Sequence, residues 1–490
     1  MSPGTKWGLT GLLFFVVLWI ACGETYRPTI IPNAVPTPTP KNFHAVFAVN
    51  SDGVVAQQQC QVNPTTACLT QGSGMQVNVS GDTEAGVTAV GIGPSHATLQ
   101  LASITNRVWV ANTLADSLSV FTTGSTAVNI GAAITVSLPS GSAPVFVNST
   151  ESGTMYVANS GNDTVGVISA TSPALVATIP VGTTPVALAE TPDATRLYVA
   201  NSGSSSVTSI NPADLTVRST IAVSPSPQWA VARSDSARVY VLSTTAGVLT
   251  TIDPLTDNVL STVPVGAGAT YLYYDSRRNR LYVPQPNGTV GIYDATVDPP
   301  ALLATINLTS AIPGTPNSPC PATGCSATSV AALPDGTRAY IASFSLDGKT
   351  ANCPQVVGQG ALPCIAVQVT VINALTNLVT TAINLPEFAV SSVGNCASAR
   401  FRVSATPSAD SSRVYVGSCD NGTVSVIDTS ANKFLVSLPA PLSSFPPVET
   451  CTPGQNCTCP TAQPCTCDAG QQCSPAAPPR QNTLFLLPGP

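Results

Sequence analysis

Charge is the scarcest property of this sequence: Asp, Glu, Lys and Arg make up only 9% of its 490 residues. An average soluble domain has roughly 25%. The scarcity does not mean disorder, because 43% of the residues are hydrophobic and unfolded chains are poor in them. It does not mean a bundle of spanning helices either, since no apolar run reaches the ~18–20 residues that a span needs. Net charge is −6 with no basic stripe, which argues against nucleic acid as a partner. Histidine occurs only at positions 44 and 96, so a multi-histidine metal centre is excluded and no metal is expected. Phosphate loops, HExxH and GxSxG are missing, and no C-x-x-C-H offers an attachment for c-type haem. No cofactor is expected.

What is present begins with an export pattern. Lys6 precedes an apolar core from Leu9 to Ala21 that is short for a membrane span. The run closes on Leu18-Trp19-Ile20-Ala21-Cys22, which resembles the bacterial lipobox, with Trp19 where that motif usually carries Leu. The resemblance implies a signal peptide over residues 1–21 and lipidation of Cys22. Residues 22–42 hold Pro28, Pro32, Pro36, Pro38 and Pro40 and read as an extended, semi-rigid tether. The expected location is therefore the bacterial cell envelope, with the chain lipid-anchored to a membrane.

From residue 43 onward one phrase recurs: a basic residue, an aliphatic, an aromatic, then a short Val-Ala-Asn run. It occurs as RVWVAN from Arg107, MYVAN from Met155, RLYVAN from Arg196, RVYVLS from Arg238, RLYVPQ from Arg280, RAYIAS from Arg338 and RVYVGS from Arg413. The step from Tyr156 to Tyr198, to Tyr240 and to Tyr282 is 42 residues each time. Around each aromatic lie three further short runs of Val, Thr and small residues, separated by Gly, Asn, Asp or Pro. Four strands per ~42 residues describe a propeller blade. The expected fold is all-β, a β-propeller of four-stranded antiparallel blades spanning 43–490. The phrase, the pattern Val424-Ser425-Val426-Ile427-Asp428 and the closing Thr178-Ile179-Pro180-Val181-Gly182 resemble the YVTN-type β-propeller repeat. That family is found in exported and surface proteins, and its relatives include lactonase-like enzymes, haem-carrying domains and plain binding modules.

Seven units from Ala97 to about Pro439 supply four strands each. An eighth phrase, Phe47-Ala48-Val49-Asn50-Ser51, has no innermost strand before it. Thr483–Gly489 matches Ser329–Asp335, an innermost strand with its turn. Eight blades closed by strands from both termini are therefore favoured over seven, because such closure leaves no open sheet edge.

Fourteen cysteines follow Cys22, an even number in a chain expected to be exported, so disulfides are the default. They are Cys60, Cys68, Cys320, Cys325, Cys353, Cys364, Cys396, Cys419, Cys451, Cys457, Cys459, Cys465, Cys467 and Cys473. By blade alternation all fourteen fall on the face that holds the connections after second and fourth strands. The last six lie in a disulfide-rich insertion loop, 441–481, and form CTPGQNC, CPTAQPC and CDAGQQC. Three local loops are the favoured pairing there, with other pairings and a thiolate cluster as alternatives. Further insertions at Val54–Gly74, Thr309–Ala327, Ser345–Leu362 and Leu385–Ala397 fall on the same face.

Alignment on the tyrosines puts Trp229, Tyr271 and, with a small offset, Arg402 at channel-lining places of innermost strands, and His96 near the entry to another. An aromatic wall with one guanidinium suits a sugar, aglycone or carboxylate ligand; inter-blade packing is the alternative. Because the arginines recur in blade after blade, one active site cannot explain them, and a structural role bonding turns or carboxylates is expected. The leading functional expectation is a monomeric, non-enzymatic binding protein that meets a protein or carbohydrate partner through its cysteine-stapled face. A lactonase-type hydrolase of sugar lactones or small esters, and a purely structural envelope protein, are the rivals.

Overall fold

A computed structural model describes residues 45–52, 71–100, 105–124, 130–149, 154–309, 320, 324–347, 353, 364–389, 396, 400–443, 449–450, 456–458, 464–466, 472–473 and 480–489. The expected signal peptide, Cys22 and the tether lie outside them. Among the described residues no helix is long and apolar enough to cross a membrane.

The described chain forms an eight-bladed β-propeller of four-stranded antiparallel sheets. Blade 1 joins both ends of the chain: Asn482–Pro488 is its innermost strand, followed outward by Ala45–Ser51, Gln71–Asn78 and Thr83–Ile92. Blades 2 to 8 each take four strands in chain order, their innermost strands starting at Pro94, Pro144, Pro185, Pro227, Tyr273, Ser326 and Val403. Three expected insertions are shorter than their sequence bounds, because Gln71–Asn78, Ser326–Ala332 and Arg338–Asp347 extend the ladders into them.

Burial explains the composition. In blade 4 every residue of the second strand, Leu197–Asn201, is buried, whereas the outermost strand, Thr216–Ala222, is mostly exposed. A middle strand is covered on both faces by neighbouring blades, so it reads as continuous Val, Ala and aromatic residues with no place for Lys or Glu. The repeated aromatics Trp109, Tyr156, Tyr198, Tyr240, Tyr282, Tyr340 and Tyr415, together with Phe47, are among the largest fully buried side chains. Each contributes about 1.5–3 kcal/mol through burial alone.

On the face of short turns the blades clamp one another. The Tyr198 hydroxyl donates to Asp257 of blade 5 at 2.6 Å, Tyr240 to the Ala295 carbonyl of blade 6 at 2.9 Å, and Tyr340 to Asn432 of blade 8 at 2.7 Å. The recurring arginines act alongside: Arg107 reaches the Ala170 carbonyl, Arg280 the Ala374 carbonyl and Arg338 the Thr429 carbonyl, each in the next blade. Asp82, Asp257 and Asn432 are left-handed, with φ of 50°, 56° and 49°, a conformation that Asp and Asn tolerate better than most residues. The same clamp closes the ring. Tyr415 and Arg413 of blade 8 both donate to Asp82 of blade 1, at 3.1 Å each.

Candidate functional site

The opposite face carries the long connections and every described disulfide. Cys320–Cys325, Cys353–Cys364 and Cys396–Cys419 are bonded. All six cysteines sit in or beside connections that precede an innermost strand or follow a second strand, and these emerge on one face. In the 441–481 loop, Asn456–Thr458 pairs with Pro464–Thr466, which sets Cys457 opposite Cys465 in register. The side chains of Cys451, Cys457, Cys459, Cys465, Cys467 and Cys473, and all of Cys60 and Cys68, lie outside the described residues.

The innermost strands begin in a way that the aligned tyrosines do not reveal. Pro94, Pro144, Pro185 and Pro227 open four of them, and each ladder shifts register across the next residue: Ser95, Val145, Val186 and Gln228. Proline has no N–H to donate, and the residue after it is left as a bulge outside the ladder. Three of these bulge carbonyls, in successive blades, converge at the channel mouth. Arg400, in the connection leading to blade 8, reaches across to them and donates to Val145 O at 3.4 Å, Val186 O at 3.0 Å and Gln228 O at 3.3 Å. Its guanidinium lies 4.2 Å from the Trp229 ring centroid and 5.2 Å from that of Phe146. Desolvation lowers its pKa to about 10, opposed by Tyr271; it remains a cation at neutral pH.

Phe401 follows it into the channel, 5.6 Å from Trp229 and 5.1 Å from Tyr271 between ring centroids. Trp229 and Tyr271 meet edge-on at 4.8 Å, and Trp229 donates its indole N–H to the Thr270 carbonyl at 3.2 Å. Only 7% of Trp229 is exposed. The aromatic wall therefore supports the Arg400–Phe401 plug, and the Trp229 ring is covered. Burial raises the Tyr271 pKa to about 12, so it is a neutral phenol.

Arg402, placed by alignment on the channel wall, is not there. It forms a bidentate ion pair with Asp420 at 2.7 and 2.9 Å and lies 4.9 Å over Phe344. The innermost strand of blade 8 begins only at Val403, so Arg402 precedes it. The guanidinium facing Trp229 belongs to Arg400, two residues earlier. Its position is fixed by the Cys396–Cys419 bridge, by the Arg402–Asp420 pair, and by the Cys419 N–H donating to the Arg402 carbonyl at 3.0 Å.

His96 stacks on Phe146 at 3.8 Å and accepts the Val147 N–H at Nδ1, 3.3 Å away. Burial and the Arg400 charge hold its pKa well below the usual histidine value, so the ring is neutral with its proton on Nε2. His96 and Arg400 both lie against the Phe146 ring.

A cleft of about 340 Å³ opens beside the plug, lined by Gln228, Trp229, Thr244, Thr245, Gly268, Ala269, Thr270 and Arg400. It exists because blade 6 starts late. Its innermost strand is only Tyr273–Asp275, preceded by the small residues Gly266-Ala267-Gly268-Ala269. Gly268 has φ of +80°, and a Cβ there would meet nothing nearer than Pro286 at 3.4 Å. Arg400 is the single charged residue of the lining. Among the described residues no group of His, Cys, Asp and Glu could hold a metal ion.

No family model and no curated protein matches the chain. Among solved structures it is similar to dihydro-heme d1 dehydrogenase NirN in complex with DHE, at 11% identity and a TM-score of 0.53, over 80% of this chain and 73% of that one. It is also similar to Kuenenia stuttgartiensis hydrazine synthase (16% identity, TM-score 0.45, 61% and 87% covered). A third is virginiamycin B lyase from Staphylococcus aureus (11% identity, TM-score 0.42, 66% and 91% covered). At such identities the likeness to the first concerns the fold alone, and that fold is the propeller.

Proposed function

We propose that this chain is an exported, lipid-anchored propeller of the YVTN-repeat type that acts as a binding module through its cysteine-stapled face. The observation that carries the reading is the cleft at the mouth of the channel on that face, built by one unrepeated cation and otherwise neutral groups. A hydrolase of lactonase type needs a base and a polarising group that converge on the reacting carbonyl. The lining has Arg400 but neither carboxylate nor histidine, and His96 is occupied by stacking and by the Val147 N–H. Loops held on a rigid scaffold are where binding residues concentrate, and three disulfides hold these.

The test is a thermal-shift screen of small acids, sugars and esters against the purified chain, with hydrolysis measured in parallel. Ligands that raise the melting temperature without being turned over support the module. Turnover of a lactone or ester overturns it in favour of an enzyme, and a screen without any shift favours a structural envelope protein. For the anchor, mass spectrometry of the mature N-terminus is expected to find acylated Cys22; a chain that retains Met1 refutes it.

A further inference from the structure

The geometry points to a carboxylate site: the cleft between blades 5 and 6 takes a small hydroxy acid, whose carboxylate meets the Arg400 guanidinium. This rests on the binding-module reading and names the ligand class of the same site.

Charge comes first. Arg400 is partly buried at the cleft, and its bonded partners are three neutral carbonyls and two aromatic faces. Arg402 two residues later has Asp420, and Arg413 has Asp82, whereas no described carboxylate pairs with Arg400. Its Nε–H has no partner among the described residues. A cation withdrawn from water is stabilised by an anion more than by neutral dipoles, and the open cleft is where an anion can reach it.

The charge also limits the ligand. One guanidinium balances one negative charge, and no second cation lines the cleft. A phosphate dianion would bring a charge with nothing to neutralise it, so a monocarboxylate fits better. The remaining lining indicates the rest of the molecule. The Thr244 and Thr245 hydroxyls have no hydrogen-bond partner among the described residues, and Gln228 presents its amide beside them, held by Ser226 at 3.3 Å. These groups suit hydroxyls on the ligand. A volume near 340 Å³ is at the small end of the ~300–1,000 Å³ typical of ligand pockets, which favours a ligand of one sugar-acid unit over a chain of them.

Trp229 provides a built-in reporter, because the cation that would meet the ligand lies directly over its ring. We would titrate the full chain at constant ionic strength with D-glucuronate, D-glucose and inorganic phosphate, following tryptophan fluorescence and calorimetry. The expected result is saturable binding of glucuronate, at least tenfold tighter than either glucose or phosphate, with the fluorescence change absent in Trp229→Phe. Arg400→Gln is expected to weaken glucuronate at least tenfold. Because Arg400 also ties three blades together, Thr245→Tyr is the second variant. It fills the cleft from an exposed turn and is expected to abolish binding with an unchanged melting temperature. Glucuronate binding no tighter than glucose, or unaffected by Thr245→Tyr, overturns the proposal. If glucuronate fails while a neutral ligand from the screen binds in the cleft, the carboxylate assignment falls and the module stands; if nothing binds, both fall.

Discussion

The two faces of the propeller are built on opposite plans. On the short-turn face the same contact recurs from blade to blade: a second-strand Tyr or Arg reaches the turn of its neighbour, as Tyr198 reaches Asp257 and Tyr415 reaches Asp82. On the stapled face the central contact occurs once. Arg400 enters from a single connection and gathers carbonyls from three blades. What repeats serves the ring, and what occurs once is free to serve a ligand. Arginine illustrates both, as a clamp at Arg413 and as the only charge in a cleft at Arg400.

The most damaging change removes closure itself. Deleting Asn482–Pro488 takes the innermost strand from blade 1 and bares the edge of Ala45–Ser51; loss of cooperative melting and of the monomer peak in size exclusion is expected. Alkali should strike the repeated face next. Burial raises the Tyr156, Tyr240, Tyr282 and Tyr340 phenols to about 12, whereas in the unfolded chain they ionise near ~10. Their contribution is therefore whole below pH 10 and lost as pH rises from 10 to 12. Unfolding with delayed phenolate absorbance would show this; a melting temperature unchanged to pH 12 would refute it.

Replacing Cys396 and Cys419 by Ala tests the singular face. Their separation of 23 residues corresponds to about 3 kcal/mol of chain-entropy stabilisation. Denaturant titration should find a loss of that order, together with weakened ligand binding as the Arg400 connection loosens. Smallest are the single clamps. Tyr415→Phe and Tyr198→Phe should each cost about 1–2 kcal/mol, and their similarity would indicate that the junction closing the chain is built like the others. A much larger loss for Tyr415→Phe would mean that it is not.

The repeated plan was legible in the sequence and the singular one only in part. Each blade announces itself through an aromatic buried on all sides, and eight occurrences of one phrase average out local ambiguity. Even the strand exchange between Phe47 and Phe485 could be read, since each fragment matches a complete blade elsewhere. Trp229, Tyr271 and His96 all border the channel in the structure, but as neighbours of a plug that no repeat foreshadows. Arg400 and Arg402 both precede the strand that begins at Val403, and the blade alignment does not tell which of the two faces the channel. The usable signal was Pro-x-Φ in Pro144-Val145-Phe146, Pro185-Val186-Ala187 and Pro227-Gln228-Trp229. A proline opening a strand predicts a bulge, and a bulge leaves a carbonyl outside the ladder that a donor such as Arg400 can reach.

The bond from Thr483 to Asn50 joins residues 433 positions apart. During synthesis the first strand of the ring must wait, its inner edge uncovered, while all the intervening strands are made. Neighbouring blades can assemble as they emerge, but the final joint cannot be made early, so ring closure is a late event whose timing is set by chain length. A chain cut before Asn482 makes almost every contact of the ring and still leaves the circle open.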